Sequence, residues 1–183
     1  TGANNVIFGA INNSNQGNSV GMVNGGGTVV LNQANNYSGY TVFNQGETVQ
    51  IGNNSAFGTS TLLFNGGTLV GDSVQRTNGF TYGHTITNDI QFAGDVTINS
   101  VFNGAAVPAD LTFTGNVGLT NSSTAGGAMR TINISTSSYQ QLGGAIITLS
   151  GVISDGASSY NGLVKAGAGT LRLTTRKSCK MSR

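Results

Sequence analysis

The chain has 183 residues, among them 29 glycines and 45 Leu, Ile, Val or Phe residues, and only 8% of its residues are charged. This composition fits one folded domain and excludes a disordered chain, which would combine fewer apolar residues with a high net charge. The formal net charge of +2 comes from five cations in the last twelve positions, while residues 1–171 carry a charge of −3. Residues 1–171 therefore lack the basic surface that nucleic-acid binding requires. No run of apolar residues is long enough to predict a membrane span.

One short phrase recurs along the chain: a turn with small or polar residues, usually a Thr, and then apolar residues alternating with polar ones. It reads, in chain order, GGGTVVL (25–31), QGETVQI (45–51), GTSTLLF (58–64), GGTLV (66–70), GDVTINS (94–100), ADLTFTG (109–115), MRTINIS (129–135), GAIITLS (144–150) and GAGTLRL (167–173). Each copy has the length and alternation of a β-strand with one apolar side. Gly, Asn, Thr and Ser recur too often for an amphipathic helix, so the sequence predicts an all-β protein.

The alternation also predicts which side chains reach the core. Those on the apolar side are Val29 and Leu31, Val49 and Ile51, Leu62 and Phe64, Ile132 and Ile134, and Leu171 and Leu173. Where the chain bends, NQG (44–46), NN (53–54) and NGG (65–67) supply residues that adopt a positive φ at little cost. The single proline, Pro108, agrees with a backbone whose N–H groups are needed in strand ladders.

Recurrence of one phrase favours a β-solenoid over a β-sandwich. Each winding of a solenoid pairs with the windings above and below it, and windings of roughly 20 to 25 residues would give about eight in this chain. Stacking places Asn over Asn and Thr over Thr, where their side chains can bond along the axis. We expect one solenoid domain over residues 1–174. Residues 175–183 are basic, contain the only cysteine, Cys179, and lack the alternation, so they are expected to form a disordered tail or a cap.

Residues 25–72, GGGTVVLNQANNYSGYTVFNQGETVQIGNNSAFGTSTLLFNGGTLVGD, resemble the autotransporter-associated β-strand repeat, with NNYSG, NNSAFGT and FNGGTL in the order and at the distances of that family. Residues 149–174, LSGVISDGASSYNGLVKAGAGTLRLT, resemble the start of another copy. The resemblance implies a right-handed parallel β-helix that is secreted and displayed on the surface of a Gram-negative-type bacterium, commonly ahead of an outer-membrane barrel. The chain departs from the family pattern after Thr174, where the basic tail replaces the expected continuation.

Few residues could take part in catalysis. His84 is the only histidine, so a catalytic triad would have to join it to a serine and to an acid such as Asp89. Polysaccharide cleavage would need paired carboxylates beside a cation. The acids are Glu47, Asp72, Asp89, Asp95, Asp110 and Asp155, and the cations of the body are Arg76, Arg130, Lys165 and Arg172. They are scattered, and no calcium-loop pattern occurs. The sequence therefore predicts a non-enzymatic protein without catalytic, cofactor-binding or metal-binding residues.

Two features could form binding surfaces. Tyr37 and Tyr40 bracket the turn NYSGY, and we expect a tyrosine ring to cover the rim of a winding rather than to stack on a sugar. The Thr pairs in TST (59–61), TIT (85–87) and TFT (112–114) would form a hydroxyl array that binds ice if they stacked. Alternation in a Thr-rich chain also produces such pairs without any function, and that interpretation is favoured.

The sequence thus predicts a structural segment of an extracellular or surface-displayed bacterial protein, exported across the outer membrane. Because a terminal winding has unpaired backbone groups, identical molecules are expected to associate end to end, as filaments do. Two alternatives stay open: an adhesin that binds a surface glycan or a host protein, and a polysaccharide-cleaving β-helix enzyme. Neither a cofactor nor a nucleic-acid partner is predicted.

Overall fold

The structure is a computed structural model that describes residues 6–8, 20–21, 28–73, 75–76, 79–80, 83–102, 110–119, 127–135, 145–155, 161–174 and 177–178. Within these ranges the chain forms strands and turns and no helix, which confirms the predicted all-β class. Pro108, Cys179 and most of the predicted tail lie outside the described residues. In chain order, the strands are β1 (Val6–Phe8), β2 (Val20–Gly21), β3 (Thr28–Leu31), β4 (Tyr40–Phe43), β5 (Thr48–Ile51), β6 (Thr61–Phe64), β7 (Thr68–Ser73), β8 (Gln75–Arg76), β9 (Gly79–Phe80), β10 (His84–Ile86), β11 (Ile90–Phe92), β12 (Val96–Phe102), β13 (Leu111–Phe113), β14 (Val117–Leu119), β15 (Met129–Ser135), β16 (Ile146–Leu149), β17 (Ile153–Ser154), β18 (Gly162–Ala166), β19 (Thr170–Leu173) and β20 (Lys177–Ser178).

These strands build three parallel sheets and one antiparallel pair, β8 with β9. Sheet 1 has the order β1-β3-β5-β7-β12-β15-β18, sheet 2 the order β2-β4-β6-β11-β14-β17-β20, and sheet 3 the order β10-β13-β16-β19. Neighbours within a sheet are separated along the chain by strands of other sheets, so the backbone returns to each sheet once per winding. Stacked parallel strands of this kind are consistent with the predicted β-solenoid.

The windings differ in length. Thr28 pairs with Thr48, and Thr48 with Thr68, so two early windings have 20 residues each. Leu111 pairs with Ile147, which makes that winding 36 residues long. The longer windings include a strand of sheet 3. In the earlier winding that contains residues 52–60, those residues form a turn instead of such a strand.

Burial confirms the alternation. Most of the side chains predicted to face the core are buried: Leu31, Val49, Ile51, Leu62, Phe64, Ile132 and Ile134. The others, Val29, Leu171 and Leu173, are half-buried and pack against the same core. Inside this core an aromatic column follows the axis, because Phe43 stacks on Phe64 with ring centroids 4.2 Å apart and Phe64 on Phe92 at 5.5 Å. One continuous apolar interior therefore joins successive windings.

Two of the predicted bends contain glycines in the left-handed region. Gly46 has φ 85° and Gly67 has φ 81°. A Cβ atom at Gly67 would lie 2.7 Å from the carbonyl oxygen of Asn44 in the winding before it, so space as well as φ demands glycine there. The same bends show the expected bonding along the axis, since the Asn65 amide donates to Asn44 Oδ1 at 3.3 Å.

Candidate functional site

Three of the candidate catalytic carboxylates accept hydrogen bonds from backbone N–H groups one winding further on. The pairs are Asp89 Oδ1 with Asn116 (2.7 Å), Asp95 Oδ1 with Thr131 (2.8 Å) and Asp110 Oδ1 with Ile146 (2.8 Å). Each acid directly precedes a strand, and the three strands, β11, β12 and β13, belong to three different sheets. The structure therefore places these carboxylates at separate corners of the windings and gives each a structural partner.

The remaining acids are equally dispersed. Glu47 is buried, and its Oε2 accepts the backbone N–H of Asn44 at 2.7 Å within their shared turn. Asp72 lies in β7, and Asp155 follows β17. Among the residues that the structure describes, no group of three or more His, Cys, Asp or Glu side chains is arranged to hold a metal ion.

His84 lies at the start of β10 and is only 6% exposed. Its Nδ1 is 3.1 Å from Oδ1 of Asn54, an amide in the turn of the winding before. The same Oδ1 accepts the backbone N–H of Thr85 at 3.2 Å, so Asn54 covers the first edge of sheet 3. His84 is thus part of the contact between a turn and a sheet edge, and Asp89, the acid considered for a triad, is bonded to Asn116 instead.

The sequence predicted that a tyrosine ring would cover the rim of a winding. Tyr37 instead lies in the interior, with 1% of its surface exposed. Its hydroxyl lies 3.0 Å from Thr41 Oγ1, which is 2.7 Å from Ser60 Oγ, and Ser60 donates to the carbonyl of Phe57 at 2.8 Å. Burial raises the pKa of the Tyr37 phenol, and the hydrogen bonds with Thr41 and Ser60 offset part of that rise. Tyr40 remains exposed and is the one of the two that a ligand could contact.

Two of the cavities on the described surface bear on binding. A polar groove of about 660 Å³ lies beside the first residues of strands β7, β12 and β15 of sheet 1. The turn residues Gln45 and Asn65 lie on one side of it, and Met129 and Arg130 lie on the other. An apolar cavity of about 520 Å³ lies at the last described windings. Leu119, Ile153, Leu163, Leu171 and Leu173 line it.

Two of the three predicted Thr pairs stack in adjacent windings, and one does not. Thr85 pairs with Thr112, and Thr112 with Thr148, in adjacent strands of sheet 3, so TIT and TFT do stack and a third pair, Thr148 with Ser150, continues them. The ladder extends one residue past each strand, because Thr114 N–H donates to the carbonyl of Ile86 at 2.9 Å. TST does not join them, since Thr61 lies in sheet 2 and pairs with Tyr40.

We call the outward side of sheet 3 the threonine face. Its hydroxyl residues are Thr85, Thr87, Thr112, Thr114, Thr148, Ser150 and Thr174. Between them along each strand lie side chains that face the core, such as Ile86 and Phe113. Ser150 donates to the carbonyl of Phe113, whereas the threonine hydroxyls of this face bond to none of the described residues. Sequence reasoning missed the third pair because serine replaces threonine in it.

The described part of the chain contains no helix long and apolar enough to cross a membrane. Comparison with protein-family models, curated proteins and solved structures finds no match for this chain.

Proposed function

We propose that the chain is a non-enzymatic, structural segment of a secreted or surface-displayed bacterial protein, built as a right-handed parallel β-helix of about eight windings of the autotransporter-associated type. The observation that carries this proposal is the in-register parallel stacking of seven described strands in each of two sheets. A right-handed path is the strong preference of crossover connections between parallel strands. The structural use of Asp89, Asp95 and Asp110 as backbone acceptors supports a role without catalysis.

Such a segment suits a durable extracellular rod. Each winding is held to the next by backbone ladders, by side-chain acceptors such as Asp110, and by a shared apolar core. The sequence has only one cysteine, so this cohesion does not depend on disulfides within the chain. Export in an unfolded state would also meet no internal cross-link.

End-to-end association is the assembly that we propose for this rod. Strands β18 and β19 are the last described strands of sheets 1 and 3, and each has one edge that pairs with no described strand. The apolar cavity beside them holds Leu171 and Leu173, which are half-buried. A first winding of a second copy would supply both a parallel strand and apolar side chains.

Electron microscopy and sedimentation velocity of the purified chain test this proposal. We expect filaments or a concentration-dependent series of oligomers for the natural sequence. Leu171→Asp should abolish them, while Val152→Asp, at an exposed apolar position that does not line the cavity, should not. Circular dichroism must show that both variants keep the β signal. Monomers at every concentration would refute the assembly.

An adhesin is the second candidate, and the polar groove beside sheet 1 is the observation that favours it. Amide, hydroxyl and guanidinium groups line this groove, and Met129, 60% exposed, forms part of its rim. Saturable binding to a glycan panel that Met129→Ala weakens and Val152→Ala leaves unchanged would support this role. Absence of binding across the panel would remove it.

A further inference from the structure

We propose that the threonine face binds the ordered water lattice of ice. This proposal concerns sheet 3 and is independent of the structural role and of the polar groove. Its basis is a two-dimensional array: two columns of hydroxyls follow the axis, and β10, β13 and β16, each counted to the residue just past its end, contribute one hydroxyl to each column. Thr85, Thr112 and Thr148 form the first column, and the residues two positions later form the second.

The spacing of the array is set by the backbone. Neighbouring strands lie about 4.8 Å apart, and residues two positions apart on one strand are separated by about 6.7 Å. In ice each oxygen is bonded tetrahedrally at about 2.75 Å, so equivalent oxygens repeat about every 4.5 Å within a layer and about every 7.3 Å perpendicular to it. The mismatch is therefore about 0.3 Å per winding in one direction and about 0.6 Å in the other.

Three windings keep this mismatch small. From Thr85 to Thr148 there are two intervals between strands. The accumulated misfit along the axis is about 0.6 Å, a small part of one hydrogen-bond length. Exposed side chains can absorb such a difference by small torsional changes. A register shift between windings would destroy the match, and the pairing of sheet 3 contains none.

The chemistry of the face matches that of water. A threonine hydroxyl donates one hydrogen bond and accepts others, as a lattice oxygen does, while its methyl group leaves adjacent water to bond to other water. The threonine hydroxyls bond to none of the described residues; Thr85, Thr87 and Thr114 are exposed, and Thr112 and Thr148 are half-buried. Charge enters the face only at its end, where Arg172 follows Thr148 in the first column.

Sheet 1 provides an internal comparison. It also has a threonine column, formed by Thr28, Thr48, Thr68 and Thr97. The neighbouring column, however, contains Val30, Gln50, Val70 and Asn99, and the Asn133 amide donates to Thr97 Oγ1 at 3.4 Å. Sheet 1 therefore has one hydroxyl column but no second one beside it, and it offers matched control positions.

Ice recrystallisation inhibition and thermal hysteresis of the purified chain test the proposal. We expect the natural sequence to shape ice crystals and to inhibit recrystallisation. Thr112→Tyr, at the centre of the array, should raise the concentration needed for inhibition at least about tenfold. Thr68→Tyr, at a comparable half-buried position of sheet 1, should leave that concentration unchanged.

Two more conservative variants distinguish loss of the hydroxyl from misfolding. Thr112→Val removes the hydroxyl and keeps the shape, so it should weaken inhibition, whereas Thr112→Ser keeps the hydroxyl and should retain more of it. Circular dichroism and melting curves should be those of the natural sequence. Inhibition no greater than that of an inert globular protein, or an equal loss in Thr68→Tyr and Thr112→Tyr, would overturn the proposal.

Discussion

At the scale of single residues, polar side chains bond to backbone groups of neighbouring windings. Asn116 extends the pattern of the acids, since its Oδ1 accepts the N–H of Val152 at 3.3 Å while its own N–H donates to Asp89. Buried Asn88 donates to the carbonyl of Ser60 at 2.6 Å. These side chains form hydrogen bonds with backbone N–H and C=O groups at the corners, where strand ladders begin and end.

Asp110 gives a direct test of this role. Asp110→Ala removes the acceptor of the Ile146 N–H and should lower the free energy of unfolding by about 0.5–1.5 kcal/mol, the usual net value of one hydrogen bond. Asp110→Asn keeps an oxygen at the same position and should lose less. Urea unfolding of both variants measures the difference, and equal losses would mean that charge rather than the hydrogen bond matters.

Tyr37 should make stability depend on pH in alkaline solution. Burial raises the phenol pKa above its ordinary value of 10.0, so the folded chain holds this proton at a pH where the unfolded chain releases it. The free energy of unfolding should therefore be unaffected by this group below about pH 10 and fall as the pH rises above it. Tyr37→Phe should show a shallower decline in urea unfolding, whereas Tyr40→Phe, which leaves the buried phenol in place, should keep the decline of the natural sequence.

The roles of these residues were hard to predict for a physical reason. Alternation indicates which strand residues face the core, but Tyr37 and His84 owe their burial to neighbouring windings. The Tyr37 hydroxyl contacts Thr41, which in turn contacts Ser60, 19 positions further on, and His84 contacts Asn54, 30 positions earlier. From the sequence alone we expected a tyrosine on the rim and left a catalytic role for His84 open, whereas the structure buries both side chains.

At the scale of strands and turns, glycine determines how closely two windings approach at one corner. A Cβ atom at Gly115 would lie 2.1 Å from the carbonyl oxygen of Asn88, and one at Gly151 would lie 1.8 Å from that of Gly115. Both glycines lie in the turns that lead from sheet 3 to sheet 2. Backbone therefore packs directly on backbone at this corner.

Gly115→Ala should consequently destabilise the fold, by about 1–3 kcal/mol as overpacked sites do, because rigid backbone must move to admit the methyl group. Gly118→Ala is a matched control in β14, where the nearest atom to a new Cβ lies at 3.7 Å. It should be neutral or slightly stabilising, since alanine restricts the unfolded chain. Thermal melting compares the two, and similar melting temperatures would contradict the tight corner.

Prediction of the strands succeeded where the recurring phrase was complete. The copies at 45–51, 58–64 and 129–135 correspond to β5, β6 and β15. Strands β4, β11 and β14 were not among the predicted copies, because IQF and VGL are too short to show alternation and YTVF follows a turn of another type. Sheet 2 was therefore the sheet that the sequence revealed least, and the division into three sheets could not be predicted.

At the scale of the whole molecule, cohesion depends on contacts between neighbouring windings. Every internal winding has two such neighbours, whereas a terminal one has a single neighbour unless another chain segment covers it. The apolar residues reflect this, since Leu62, Phe64 and Ile98 are buried while Leu171 and Leu173 remain half-buried. Local stability should therefore fall from the centre of the solenoid towards its last described winding.

Hydrogen exchange measures this gradient. Amides of β6, β7, β11 and β12 should exchange slowest, and those of β18 and β19 faster, because opening a winding with one neighbour disrupts fewer ladder bonds and less core. Under conditions that favour assembly, protection should rise in β18 and β19 while that of the central strands stays constant. Leu171→Asp provides the control, since its terminal strands should remain equally fast under both conditions. Uniform protection along the chain in the monomer would contradict winding-by-winding cohesion, and an assembled state without added protection at β18 and β19 would place the contact elsewhere.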